Sequence, residues 1–315
     1  MPERTGEFAK DEDYEILLEE ANEQVRGWGE EEGAVPRGPI LFVVGLPRSG
    51  STLLYQILAA TGGFLYPTNL VARFYRAPAW GARMQRLLEP LLSRGEDSFT
   101  SRAGNTEGWW GVHEFGYFWE HHFRFRDHHE PASTALDPLA SALAALEKEA
   151  GGRPLLFKSN LLAFVLDELA RAIPTARFLW ISRNSLDVAD SIYRTRKRYY
   201  GDPGTWWSLR PADVPDGASP AAAIAHQIAR GREGIARSRD AVAGFEEGLG
   251  DRFAEVRYED LCRKPRAAIR TAQRLLGVHL DATGLPGAFS PSEARVSNEV
   301  RRELERALRQ RGLAL

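Results

Sequence analysis

Residues 40–54 constrain the fold of this chain more than any other stretch. Five apolar residues, Ile40 to Val44, form a short run of the kind that suits a buried parallel strand. Gly45 to Gly50 make a turn, and Ser51 opens an apolar-periodic segment (Leu53, Leu54, Ile57, Leu58) that reads as a helix. A strand, a glycine-bounded loop and a helix N-terminus in this order are what a phosphate cradle requires. Free backbone N–H groups converge on the anion there, and the helix dipole favours negative charge. The spacing of Gly45 and Gly50 matches the G-x-x-x-x-G-K-[ST] loop of nucleotide triphosphatases. The match ends where the chemistry begins. Ser51 and Thr52 stand where that loop has Lys and then Ser or Thr, and the cation, Arg48, lies earlier in the loop. The lysine that reaches the terminal phosphates of a triphosphate is therefore missing, so an anion is expected as ligand but ATP hydrolysis is not. A plain strand–turn–helix whose glycines serve only the turn is the alternative. Four polar donors at one helix entry, Arg48, Ser49, Ser51 and Thr52, argue against it.

Three further apolar runs read as strands: Pro154 to Phe157, Ala176 to Ile181, and Phe253 to Arg257. The first is followed by Lys158 and a helix from about Leu161 to Ala172. The second ends at Ser182-Arg183 and leads to a helix from Ser185 to about Arg198. The third precedes Tyr258 to Leu261 and a helix from Pro265 to Leu276. This alternation predicts an α/β fold in three layers with a central parallel sheet. Ligands bind such sheets at the carboxyl ends of the strands, so Arg48, Lys158, Arg183 and Tyr258 are expected on one rim.

Residues 1–38 read as an N-terminal helix (Tyr14 to Val25) and an acidic, glycine-rich linker, and residues 39–315 as a single domain. Insertions at about 64–150 and about 200–250 interrupt the alternation. The first is rich in aromatics, His and Arg. The second opens with Gly, Pro and Trp and continues into a helix of roughly Pro220 to Glu247. Insertions at such a rim form lids and acceptor pockets. The charged helix Ser297 to Gln310 offers a surface for a homodimer.

Composition narrows the classes. A formal net charge of −2 over 315 residues argues against a dedicated nucleic-acid binder. Cys262 is the only cysteine, which excludes an intrachain disulfide and a cysteine zinc cluster. Met1 to Glu32 is polar and acidic without an apolar signal core, and no run of about eighteen apolar residues exists. A cytoplasmic protein without a membrane span is the expectation.

Arg183 at a strand end and Ser191, about two turns into the next helix, form a second candidate phosphate site, from a planar donor fork and a hydroxyl. Pairing of Arg183 with Asp187 or Asp190 is the structural alternative. Combined with the loop, the pattern resembles a known family. Leu46-Pro47-Arg48-Ser49-Gly50-Ser51-Thr52-Leu53 resembles the 5′-phosphosulfate loop of the sulfotransferases that use 3′-phosphoadenosine 5′-phosphosulfate (PAPS). Arg183 to Ser191 is similar to their 3′-phosphate segment, and Val256 to Leu261 with Pro265 to a strand–helix junction late in that fold. Leu155 to Ser159 resembles the strand and lysine of many bacterial and Golgi-type members.

The resemblance runs from about residue 39 to 280 and implies a P-loop-like nucleotide-binding core with helical and aromatic lids. It implies sulfuryl transfer from PAPS to a hydroxyl, or less readily an amine, with 3′,5′-ADP as product and no metal. It would place the 5′-phosphosulfate on Arg48 and the N–H groups of Ser49, Gly50, Ser51 and Thr52, with the Ser51 and Thr52 hydroxyls assisting. Arg183 and Ser191 would take the 3′-phosphate, Tyr258 would join the nucleotide site, and Lys158 would neutralise the transferring sulfuryl group. A kinase-like transferase and a non-catalytic nucleotide-binding protein are the competing readings. Small-molecule, lipid, glycan, polyketide and phenolic acceptors all remain open.

The acceptor base departs from the family pattern. Many members carry a Glu downstream of the loop, where this chain has Tyr66-Pro67-Thr68-Asn69 and no carboxylate from Gly62 to Ala82. The nearest candidates by type are His113, suited to proton removal near neutral pH, and then Glu114, tunable by an aromatic pocket. Glu107, Glu120 and His121 follow. Neighbours on a regular element point differently, so one of the pair is expected to face the acceptor. His121, His122, His128 and His129 lack a flanking cysteine or ordered carboxylates and read as lid-packing or solvated rather than metal-binding. The basic run Arg194, Arg196, Lys197 and Arg198 serves either the helix C-terminus or the 3′-phosphate.

Overall fold

The computed structural model describes residues 3–91, 99–125, 127–130, 136–243, 252–291 and 295–315. Helix α1 (Glu12–Val25) starts at Asp11, whose carboxylate accepts from the Tyr14 N–H. Strand β1 (Ile40–Gly45) runs into α2 (Ser51–Ala60). The first insertion holds α3 (Pro78–Leu88), α4 (Gly116–Phe123) and α5 (Asp137–Glu149) before β2 (Leu155–Lys158). A 3-10 stretch, Asn160–Phe164, and α6 (Leu166–Ala172) lead to β3 (Ala176–Ser182). Helices α7 (Ser185–Tyr200) and α8 (Pro220–Ala243) precede β4 (Phe253–Arg257), and α9 (Tyr258–Arg263), α10 (Pro265–Leu276) and α11 (Asn298–Gln310) follow it.

The helix expected from about Leu161 to Ala172 is thus two pieces. Ser159 accepts from the Leu161 N–H to open the 3-10 turn, and Val165, at φ −132°, breaks the run before α6 begins. The expected end of α8 near Glu247 lies outside the described residues.

The four strands pair in parallel in the order β2-β1-β3-β4. The chain leaves β1 for β2 on one side and then crosses to β3 on the other. The carboxyl end of β1 is therefore the switch point where open α/β sheets bind ligands. Successive residues of β1 serve opposite layers. Ile40, Phe42 and Val44 pack with Ile192 of α7 and Ile224 and Ile228 of α8. Leu41 and Val43 pack with Leu54 and Ile57 of α2 and with Ile269 of α10. Both faces being covered explains why β1 reads as an uninterrupted apolar run rather than an alternating one.

A ladder of phenylalanines crosses the sheet on one face. Phe42 lies 5.7 Å from Phe157 and 5.6 Å from Phe178, and Phe178 lies 4.7 Å from Phe253. The pairing Phe42 with Phe157 and Phe178, and Phe178 with Phe253, is that of the strand register itself. Burying each such ring stabilises the fold by up to about 3 kcal/mol. The ladder also locks the relative heights of the four strand ends, which sets where Arg48, Lys158, Arg183 and Tyr258 emerge. No helix among the described residues is long and apolar enough to cross a membrane.

Candidate functional site

Two glycines make the loop after β1 possible. A Cβ on Gly45 would sit 2.8 Å from the Ile181 carbonyl oxygen, so a side chain there would push β1 away from β3. Gly50 caps α2 at φ +96°, and a Cβ on it would run into the Tyr258 ring. Arg48 itself holds φ +67°, a strained setting for a residue with a side chain. The first-turn N–H groups of α2 have no intrahelical acceptor and open towards the rim.

Arg48, Gly50, Ser51, Thr52, Glu114, Lys158, Arg183, Ser191 and Tyr258 all line one cavity of about 310 Å³ at the carboxyl end of the sheet. The two arginine motifs touch: Arg48 Nε donates to Ser191 Oγ at 2.9 Å, and Arg183 Nη1 donates to the Arg48 carbonyl oxygen at 3.1 Å. The Arg183 guanidinium stacks over the Tyr258 ring at 4.3 Å. Arg183 therefore lies on Tyr258 rather than pairing with Asp187 or Asp190. Asp190 is taken by Arg194 at 2.7 Å and by the Val296 N–H at 3.0 Å.

This wall is charged for an anion. Burial, and next the neighbouring Arg183 and Arg194, depress the Arg48 guanidinium to about 10. Ser49 Oγ and Arg183 Nε are buried and have no hydrogen-bond partner among the described residues. Ser49 is buried behind the loop rather than on the cavity wall. A ligand carrying negative charge would relieve the mutual repulsion of the arginines.

In the same cavity, Lys158 is 2% exposed and its ammonium binds Glu114 Oε1. Burial pulls the Lys158 pKa down, the Glu114 carboxylate opposes this, and Arg48 adds to it. Glu114 is held by its own backbone, since the Trp119 indole N–H donates to its carbonyl at 3.0 Å. His113 is not on the cavity wall. Its Nδ1 accepts the Phe115 N–H at 2.9 Å, a local bond made possible by Phe115 at φ +60°. Burial holds its pKa down at about 4. Glu107, Glu120 and His121 also lie off this wall. Asn69 ties down the next loop by donating to the Thr106 and Gly108 carbonyls at 3.0 and 2.7 Å.

Two lining residues carry no clear mark in the sequence. Asn160 accepts from Ser51 Oγ at 3.3 Å and so joins β2's end to α2. Its signal is an isolated amide after Lys158-Ser159 in an otherwise apolar run. Trp207 comes from the Gly-, Pro- and Trp-rich segment. The basic run of α7 divides. Arg194 faces Asp190, Arg198 binds Glu7, and Arg196 is fully buried under Trp206 at 4.5 Å with Nη2 on Gln227.

The histidines pack in the insertions. His121 and His122 sit edge to face at 5.1 Å, and His129 Nδ1 accepts the Arg210 N–H at 2.9 Å. Among the described residues no cluster of His, Cys, Asp or Glu could hold a metal ion. Burial depresses His113, His122 and His129 to about 4, 3 and 4 respectively. A folded pKa below the unfolded one gives stability that is complete above about 6.5 and is lost as pH falls towards 4. Urea melts at pH 7 and pH 5 are expected to show a loss on the order of 1 kcal/mol per ring, discounted for partial exposure. His122→Phe should flatten this dependence, and an unchanged slope would contradict the assignment.

The sequence pattern of the sulfotransferase family matches residues 39–282. Among solved structures the chain is similar to sulfotransferase STF9 from Mycobacterium avium, with 15% identity and a TM-score of 0.52, over 87% of this chain and 69% of that one. Sulfotransferase STF1 from Mycobacterium tuberculosis H37Rv matches with 15% identity and a TM-score of 0.50, over 95% of this chain and 78% of that one. At such identity the likeness is one of fold. No curated protein matches the chain.

Proposed function

We propose that this chain, which belongs to the sulfotransferase family, transfers a sulfuryl group from PAPS to an acceptor hydroxyl in the 310 Å³ cavity. The observation that carries this reading is the meeting of Arg48, Arg183 and Ser191 with the Lys158–Glu114 pair in one cavity. The loop side suits the 5′-phosphosulfate. Arg48 and the first-turn N–H groups of α2 would hold it, and the Ser51 and Thr52 hydroxyls would add hydrogen bonds. Arg183 and Ser191 would hold the 3′-phosphate, with Tyr258 fixing the guanidinium plane by stacking.

Glu114 is the base in this reading. Its carboxylate takes the acceptor's proton as the acceptor oxygen bonds to sulfur. The bond from sulfur to the bridging oxygen breaks, and its electron pair leaves on the phosphate. Arg48 stabilises that growing charge, while Lys158 turns from Glu114 to the sulfuryl oxygens. His113 serves as a backbone anchor for Phe115.

Thermal-shift titration with 3′,5′-ADP and with ATP tests the donor, because a ligand of the folded state alone raises its stability. Stabilisation chiefly by 3′,5′-ADP is expected. Equal or greater stabilisation by ATP would overturn the reading.

A further inference from the structure

A second cavity of about 470 Å³ adjoins the first, and Ser101 lines both. One wall is segment 5–8, where Gly6–Phe8 form a single 3-10 turn, and the other is the loop 99–107. The volume lies within the roughly 300–1,000 Å³ of small-ligand sites.

Both walls are pinned to the end of α7. The Thr5 N–H donates to the Tyr199 carbonyl at 2.8 Å, and Thr5 Oγ1 to that of Arg198 at 2.8 Å. Glu7 takes two bonds from Arg198, at 3.0 and 2.5 Å. Phe8 stacks on Tyr199 at 3.8 Å, and Tyr199 lies 6.0 Å from Trp207, which lines the first cavity. From the facing loop, Asn105 Nδ2 donates to the Tyr199 hydroxyl at 3.4 Å. The loop closes on itself through paired backbone bonds between Arg102 and Asn105, at 2.8 and 2.9 Å. Gln56, a lining residue of the first cavity, ties it to α2 through the Thr100 carbonyl at 2.8 Å. The space between the walls is thus preformed and meets, at Ser101, the cavity that Glu114 lines.

We infer that this second cavity is the distal acceptor subsite and that it takes the neutral, polyhydroxylated portion of a glycan acceptor. The inference rests on the sulfuryl-transfer reading above. Of the eight lining residues among those described, only Phe8 is apolar, and one of its faces is already covered by Tyr199. An alkyl chain or a bare aryl ring placed here would strip water from Glu7, Ser101, Arg102, Asn105 and Glu107 and return no hydrogen bonds. A sugar ring presents hydroxyls that both donate and accept, which suits two carboxylates, an amide and a guanidinium at once. The charges are mixed in sign, so neither an anionic nor a cationic acceptor is selected by the lining.

The test uses the full chain and radiolabelled PAPS with neutral tetrasaccharides of the cello, malto, chito and manno series, against dodecanol and naphthol. At least one saccharide series is expected to show kcat/KM about tenfold or more above both alcohols. The exposed substitutions Arg102→Ala and Asn105→Ala are expected to raise KM for that saccharide about tenfold while stabilisation by 3′,5′-ADP persists. Preference for dodecanol or naphthol, sulfation of no saccharide, or an unchanged KM in both variants would overturn the proposal. If 3′,5′-ADP fails to stabilise the unsubstituted protein, the donor reading fails instead.

Discussion

Glu114→Gln is expected to lower kcat by about 10²- to 10⁴-fold, the usual contribution of a positioned general base. The amide keeps the shape of the side chain and its place against Lys158, but it cannot accept a proton. Binding of 3′,5′-ADP should survive, since the contacts proposed for its phosphates are Arg48, Arg183 and Ser191 rather than Glu114. The paired variant His113→Gln separates neighbours that the sequence ranks in the opposite order. His113 is spent on the Phe115 N–H and held near pKa 4 by burial, so turnover should persist within a few-fold. Steady-state rates for the two variants decide the matter. Full activity in Glu114→Gln with loss in His113→Gln would return the base to His113.

Arg183→Ala is expected to weaken 3′,5′-ADP binding by about tenfold to a hundredfold, the loss of one charge-assisted contact at roughly 1.5–3 kcal/mol. The affinity for 5′-AMP, which has no 3′-phosphate, should change little. That contrast matters because Arg183 also supports the loop through the Arg48 carbonyl. Calorimetric titration of both nucleotides separates the two roles. An equal fall for both would mean that Arg183 only shapes the loop.

The strands were legible because each is a short apolar run ended by a marked residue, and all four lie within a residue or so of their expected bounds. Gly45 and Gly50 announced the turn, since only glycine tolerates the Ile181 carbonyl and the Tyr258 ring at those points. The strand order was not legible. Which apolar strand lies beside which is decided by cross-strand packing such as the Phe157, Phe42, Phe178 and Phe253 ladder, and no local pattern encodes it.

The site was half legible for a related reason. Arg48 and Arg183 stand at strand ends, where the topology dictates their direction. His113 and Glu114 stand in irregular chain, next to Phe115 at φ +60°, where neither helical nor strand periodicity says which side chain points inward. The bond from Arg48 to Ser191 is a further case. Two motifs separated by 143 positions read as separate phosphate sites, and only the fold brings them into one hydrogen bond.

Product stoichiometry decides whether the cavity transfers a sulfuryl group from PAPS. The full chain is incubated with PAPS and a soluble metabolite extract, and 3′,5′-ADP and acceptor masses are followed by mass spectrometry beside a Glu114→Gln control. The expected result is release of 3′,5′-ADP matched by a product heavier by one SO₃, both lost in the control. Release no greater than in the control, or a phosphorylated product when ATP replaces PAPS, would contradict it.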